Sequence, residues 1–212
     1  MANYTYIKLR YRGKLKHPKE VQQLILETED ICRTNGWSHK IWDEDWSKAP
    51  TIKMGFSDKS IQVEGHAPLK GISFSIGDSE TVWLTFLPNG LLHSIFTLAN
   101  PVLFLNDEEF PWQRAKTGFD GATTHIAVCK LFRYLANKYF AVFEVLDESN
   151  YWQEADDTKF TEWINNLTRD QLILNEELDA LKENKTLPKE QKSAMIYRLL
   201  KEFGEKYRKK EN

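Results

Sequence analysis

Between Thr51 and Ala99 the apolar residues fall at every second position in short runs: Ile52, Met54, Phe56; Ile61, Val63; Ile72, Phe74, Ile76; Val82, Leu84, Phe86; then Leu92 and Phe96. A period of two sends successive side chains to opposite faces of a strand. The polar turns between the runs, Ser57-Asp58-Lys59-Ser60, Gly77-Asp78-Ser79-Glu80 and Pro88-Asn89-Gly90, are short enough to join antiparallel neighbours. The region therefore reads as a meander. One face of such a sheet must be covered, and the only cover available is helical.

The flanks supply that cover. Thr5 to Tyr11 alternates Ile7, Leu9 and Tyr11 against Lys8 and Arg10, a half-buried strand. Pro18 can occupy a first helical turn, and Val21, Leu24, Thr28, Ile31 and Cys32 then recur at helical spacing up to Gly36, a left-handed stop. Ser38 to Asp43 is a further strand. Ala122 to Lys138 is apolar around most of its circumference, as expected of a helix lying on a sheet, and Tyr139 to Leu146 returns to strand. The end reads as three helices: Thr158 to Leu167, a segment from a Thr168/Gln171 capping box through Leu181, and Pro188 to Arg208. In the last of these, Ile196, Leu199, Leu200, Phe203 and Tyr207 form one stripe that needs a partner surface.

The expected fold class is thus α+β: a mainly antiparallel sheet of about six strands, covered by helices on one face, with a helical C-terminal extension. Residues 1–152 form the α+β domain, and 153–212 a helical segment packed on it or used for association. A chain of 212 residues can bury a full hydrophobic core without disulfides. The two cysteines, Cys32 and Cys129, both sit at apolar helical positions and read as reduced core residues, which suits a cytoplasmic location. No run approaches the roughly 18 apolar residues of a membrane span.

Charge is uneven along the chain, with a net +1 over residues 1–100, −8 over 101–184 and +5 over 185–212. An acidic middle argues against a broad nucleic-acid surface, which needs a basic face to release counterions. The cluster Lys206-Tyr207-Arg208-Lys209-Lys210 reads as a solvated tail, since cations are favourable at any helix C-terminus.

Four groups of residues can carry chemistry. Arg114, Lys116, Thr117 and Gly118 belong to a cationic, glycine-containing segment that runs into the Ala122 helix, where backbone N–H groups attract anions. The order of residues is not that of a nucleotide-binding loop, and the plain reading is a polar turn capped by Thr123 or Asp120. His125 and Cys129 stand four apart on one helical face, half of a zinc site that lacks its remaining ligands, so no metal or cofactor is assigned. His125 is also a candidate acid or base. Asp147 and Glu148 follow a strand, where carboxylates can bind a metal or serve as a base if that strand ends beside the Ala122 helix. Finally, Trp42 and Trp46 surround an acidic triplet and Trp152 lies in an acidic loop, a pattern able to grip a partner or ligand.

The best functional expectation is a non-catalytic intracellular binding or regulatory module with a tryptophan-rich face and a protein partner. One alternative is a small hydrolase or transferase acting on an anionic substrate, with Arg114 and Lys116 holding the anion, His125 as acid or base, and Asp147 or Glu148 orienting it. The other is an oligomeric structural protein that associates through its C-terminal helix.

Overall fold

A computed structural model describes residues 7–57, 60–100, 111–118 and 121–207. The turn residues Asp58 and Lys59, the Asp120 cap and the cationic tail from Arg208 onward lie outside the described residues. Within them the fold is α+β with antiparallel strands and C-terminal helices, as the periodicities predict. No helix among the described residues is long and apolar enough to cross a membrane.

The strands divide among three sheets instead of forming one. The first has β1 (Ile7–Leu15) at its centre, paired antiparallel with β7 (Gln113–Thr117) and β8 (Phe140–Asp147). The second places β5 (Lys70–Ser75) between β2 (Ser38–Asp43) and β6 (Val82–Phe86). Among the described residues the hairpin β3 (Lys53–Ser57) and β4 (Ser60–Glu64) pairs only with itself. Alternation tells which side chains face inward, but it carries no information on which strand a neighbour will be. The first strand joins partners more than 100 residues away, leaving the meander to split.

The two larger sheets are pinned together. Tyr11 sends its hydroxyl from β1 to the Trp83 backbone, accepting from the Trp83 N–H (2.7 Å) and donating to the Trp83 carbonyl (3.2 Å). Both bonds are buried, and burial pushes the Tyr11 phenol well above its usual range. On β5, Gly71 has φ +150°, and a Cβ there runs into the Leu84 backbone, so only glycine lets β5 and β6 approach this closely.

Helices α1 (Val21–Thr34) and α3 (Ala122–Tyr139) cover the sheets. The side chain of Phe132, fully buried on α3, meets Tyr11 of β1 at 4.7 Å and Phe143 of β8 at 5.3 Å between ring centroids. Glu27 clamps the two helices at the surface by accepting from Lys138 Nζ (2.6 Å) and the Tyr134 hydroxyl (2.8 Å). Burial works to raise the Glu27 carboxyl, but these bonds outweigh it and hold it at about 2.

Other local expectations also need correction. Phe96 is helical, in the short α2 (Ile95–Ala99), because Ser94 and Thr97 form a capping box that the alternation of apolar residues conceals. The segment Arg114 to Thr117 is strand β7, not a loop; Gln113, Ala115 and Thr117 face inward, and their polarity hides the period of two. Its following helix is capped by Gly121 (φ 88°), with no side-chain cap bond from Thr123.

After the short α4 (Tyr151–Glu154), the first two C-terminal helices are continuous as α5 (Asp157–Glu183), so Thr168 does not begin a new helix. The reason is the seam. Phe160, Ile164, Leu167, Gln171, Leu174, Leu178 and Leu181 keep an unbroken 4-3 spacing, and stopping at Thr168 would leave the lower half of that stripe unpaired. Phe160 and Ile164 enter the body's core, whereas the seam beyond Leu167 meets α6 (Lys189–Tyr207). Asp170 of α5 ties the hairpin, accepting from Lys206 and from the Tyr207 hydroxyl (2.5 Å).

Candidate functional site

Strand β8 does end beside the start of α3. Asp147 is its last residue, and a tight turn after it folds the following residues back over the carboxylate. Asp147 Oδ1 accepts from the Ser149 N–H (2.8 Å) and hydroxyl (2.7 Å), and Oδ2 from the Trp152 N–H (2.8 Å). Asn150 sits in the left-handed region (φ 61°), which asparagine tolerates better than most residues.

From α3, His125 points into this turn. Its Nε2 lies 3.2 Å from Asp147 Oδ2, 3.2 Å from Ser149 Oγ and 3.5 Å from Cys129 Sγ. Its Nδ1 is 2.7 Å from Thr117 Oγ1, which in turn reaches the Ile7 carbonyl at 3.3 Å. The imidazole is walled by Phe160 (ring centroids 5.0 Å) and Tyr151 (5.8 Å), and none of its surface is exposed. Burial alone would raise the Asp147 carboxyl, but the bonds from His125 and Ser149 prevail and hold it below the usual carboxylate range. Burial, with Asp147 adding to it, pushes the Cys129 thiol far up. The donor atoms of His125, Cys129 and Asp147 all lie within 4.8 Å of one another, a set able to hold a metal ion.

Ser149 and His125 are not arranged as the nucleophile and base of a relay. A relay divides the two imidazole nitrogens between carboxylate and nucleophile. Here Ser149 and Asp147 crowd the same nitrogen, and the Ser149 hydroxyl is turned toward Asp147. Beyond Ser149 opens a cleft of about 190 Å³ lined also by Tyr151, Glu154, Asp156, Lys159, Phe160 and Trp163.

The structure brings together only part of what the sequence singled out. His125, Asp147, Cys129 and Thr117 converge. Lys116 leaves β7 from the opposite face and pairs with Glu80 (3.6 Å), while Arg114 on that same face is exposed. Glu148, also pointing outward, accepts from the Lys8 N–H (3.2 Å). Gly118 is buried against Ile7. Trp42 and Trp46 are half-buried, their indole N–H groups donating to Ser73 Oγ (3.0 Å) and the Phe86 carbonyl (3.1 Å). Trp152 packs on Phe143 under the Arg133 guanidinium. All three tryptophans thus have packing roles. Ser149 was not anticipated, although Asp147-Glu148-Ser149-Asn150 has the composition of a turn in which an Asp side chain caps its own backbone.

No family model matches this chain, and comparison with curated proteins and with solved structures finds no match either.

Proposed function

We propose that this protein is a non-catalytic interaction module that self-associates through its α5–α6 hairpin, two copies packing into a four-helix bundle. The observation that carries the reading is α6 itself: 19 residues long, amphipathic, and without one buried residue. Ile196, Leu199, Phe203 and Tyr207 face α5 and are only half-buried, since two helices alone cannot enclose a seam. Outside that seam, Tyr197 is 70% exposed and Leu200 49%, with Leu172 and Ile173 similarly open on α5.

Charge favours a second copy as the occupant. Helix α5 carries seven acidic and three basic side chains, and α6 three acidic and five basic. In a two-fold pairing each α5 meets the partner's α6, so opposite charges meet across the new faces. The buried His125 cluster fits the same reading, because a network closed to solvent braces the surface from which α5 departs.

Light scattering tests this. The wild type is expected at about twice 24.9 kDa, and Tyr197→Glu/Leu200→Glu at 24.9 kDa with unchanged far-ultraviolet circular dichroism. A monomeric wild type, or a variant of undiminished mass, overturns the proposal.

A further inference from the structure

Three electron-rich atoms surround His125 Nε2 within 3.5 Å: a carboxylate oxygen, a hydroxyl oxygen and a sulfur. One ring nitrogen carries either one proton or one lone pair, so a single N–H cannot serve all three. Thr117 narrows the choice. Its one hydroxyl hydrogen can be given to the Ile7 carbonyl only if Nδ1 donates to Thr117 Oγ1. With the proton on Nδ1, a neutral imidazole turns a bare Nε2 lone pair toward the Asp147 carboxylate. That contact is repulsive unless a cation lies between them, either a proton or a metal ion.

The distances fit a metal ion. The His125–Asp147 contact of 3.2 Å is longer than a charge-assisted N–H to carboxylate bond of about 2.7–2.9 Å and lies at the long end of an ordinary N–H···O bond. In tetrahedral zinc sites, ordinary bond lengths put ligand nitrogen and oxygen roughly 3.3 Å apart, and nitrogen and sulfur roughly 3.6 Å apart. The observed 3.2 and 3.5 Å match the edges of such a polyhedron. The Nδ1–H to Thr117 to Ile7 chain is also the kind of outer support that orients a metal-bound histidine.

We propose that His125 Nε2, Cys129 Sγ and Asp147 Oδ2 bind one divalent ion of the zinc type, with Ser149 Oγ completing the tetrahedron. Binding expels the Cys129 thiol proton to solvent. The mixed sulfur, nitrogen and oxygen set suits zinc over magnesium or calcium, which take oxygen ligands. Entry is through the cleft that shares Ser149 with the cluster, whose wall includes Glu154 and Asp156. The ion's role is structural: it joins α3, the end of β8 and the turn that leads to α4 and α5, with no exposed position for a substrate.

The test uses the full chain, stripped with chelator under reducing conditions and titrated with Zn(II) or Co(II). Wild type is expected to retain about one equivalent after dialysis and to melt at a higher temperature when loaded. With Co(II) it should show a thiolate charge-transfer band and the intense visible bands of a tetrahedral site. Cys129→Ser should lose the thiolate band, Cys32→Ser should keep it, and Thr117→Val should weaken affinity by roughly 10–100-fold. A folded wild type that retains no metal and shows no thiolate band overturns the proposal. So does a band that survives Cys129→Ser or disappears with Cys32→Ser.

Discussion

Helices α3 and α6 are nearly equal in length, at 18 and 19 residues, yet α3 buries nine side chains and α6 none. The difference lies in what each touches. α3 has the β1–β7–β8 sheet on one side and α5 on another, so its apolar residues are covered around most of its circumference. α6 packs chiefly on α5, which covers one stripe and leaves the rest to solvent. Helical periodicity is equally clear in both sequences. Packing, more than propensity, supplies most helical stability, so α3 is expected to be held by the body and α6 to depend on what covers its open face.

The sharpest way to break this contrast is paired truncation. Phe132→Ala opens a hole between Tyr11 and Phe143 and is expected to cost about 3–5 kcal/mol. Leu199→Ala, at a half-buried seam position, should cost about 1 kcal/mol or less in dilute solution. Urea denaturation monitored by circular dichroism measures both, and equal losses would erase the distinction.

Hydrogen exchange sharpens it further. Amides of α3 are expected to open only with global unfolding, and those of α6 to exchange orders of magnitude faster at low protein concentration. Raising the concentration should slow exchange in α6 and leave α3 unchanged, because association stabilises only what it covers. Protection of α6 that does not vary with concentration would show an arm stable by itself.

The smallest effect expected is in acid. Asp170, which ties α5 to α6, is held at about 2 chiefly by its bond from Lys206, and Glu27, which ties α1 to α3, is also held at about 2. A carboxyl with a depressed folded value contributes stability above its unfolded value near 4, and that contribution is lost as pH falls toward about 2. Both clamps should therefore weaken over the same window. Asp170→Asn should flatten the acid dependence of the arm, read as α6 exchange, and leave the body's transition in place. Added salt should diminish the Asp170 effect, because exposed charges are screened.

How legible the site was depended on sequence distance. His125 and Cys129 share a helical face by spacing alone, and Asp147 stands where a strand must end, so each was visible singly. That they meet was not visible, because 22 residues and a change of element separate His125 from Asp147. Lys116 and Thr117 show the same limit within one strand. They are adjacent in sequence and lie on opposite faces, and nothing local marked the hydroxyl as the inward partner once β7 was read as a loop.

Local pattern in the chain was enough to set the local alternatives: period-2 runs that become strands, 3.6-period runs that become helices, Gly36 as a helix stop, and the apolar stripe of α6. These rest on backbone sterics and on burying one face, which act within a few residues. Tertiary packing alone settled that β1 lies between β7 and β8, that the meander splits, that α5 runs unbroken through Thr168, and that Thr117, Cys129, Asp147 and Ser149 meet around one imidazole. Those outcomes depend on which surfaces pack together, and packing energy is set by neighbours in space whatever their separation along the chain.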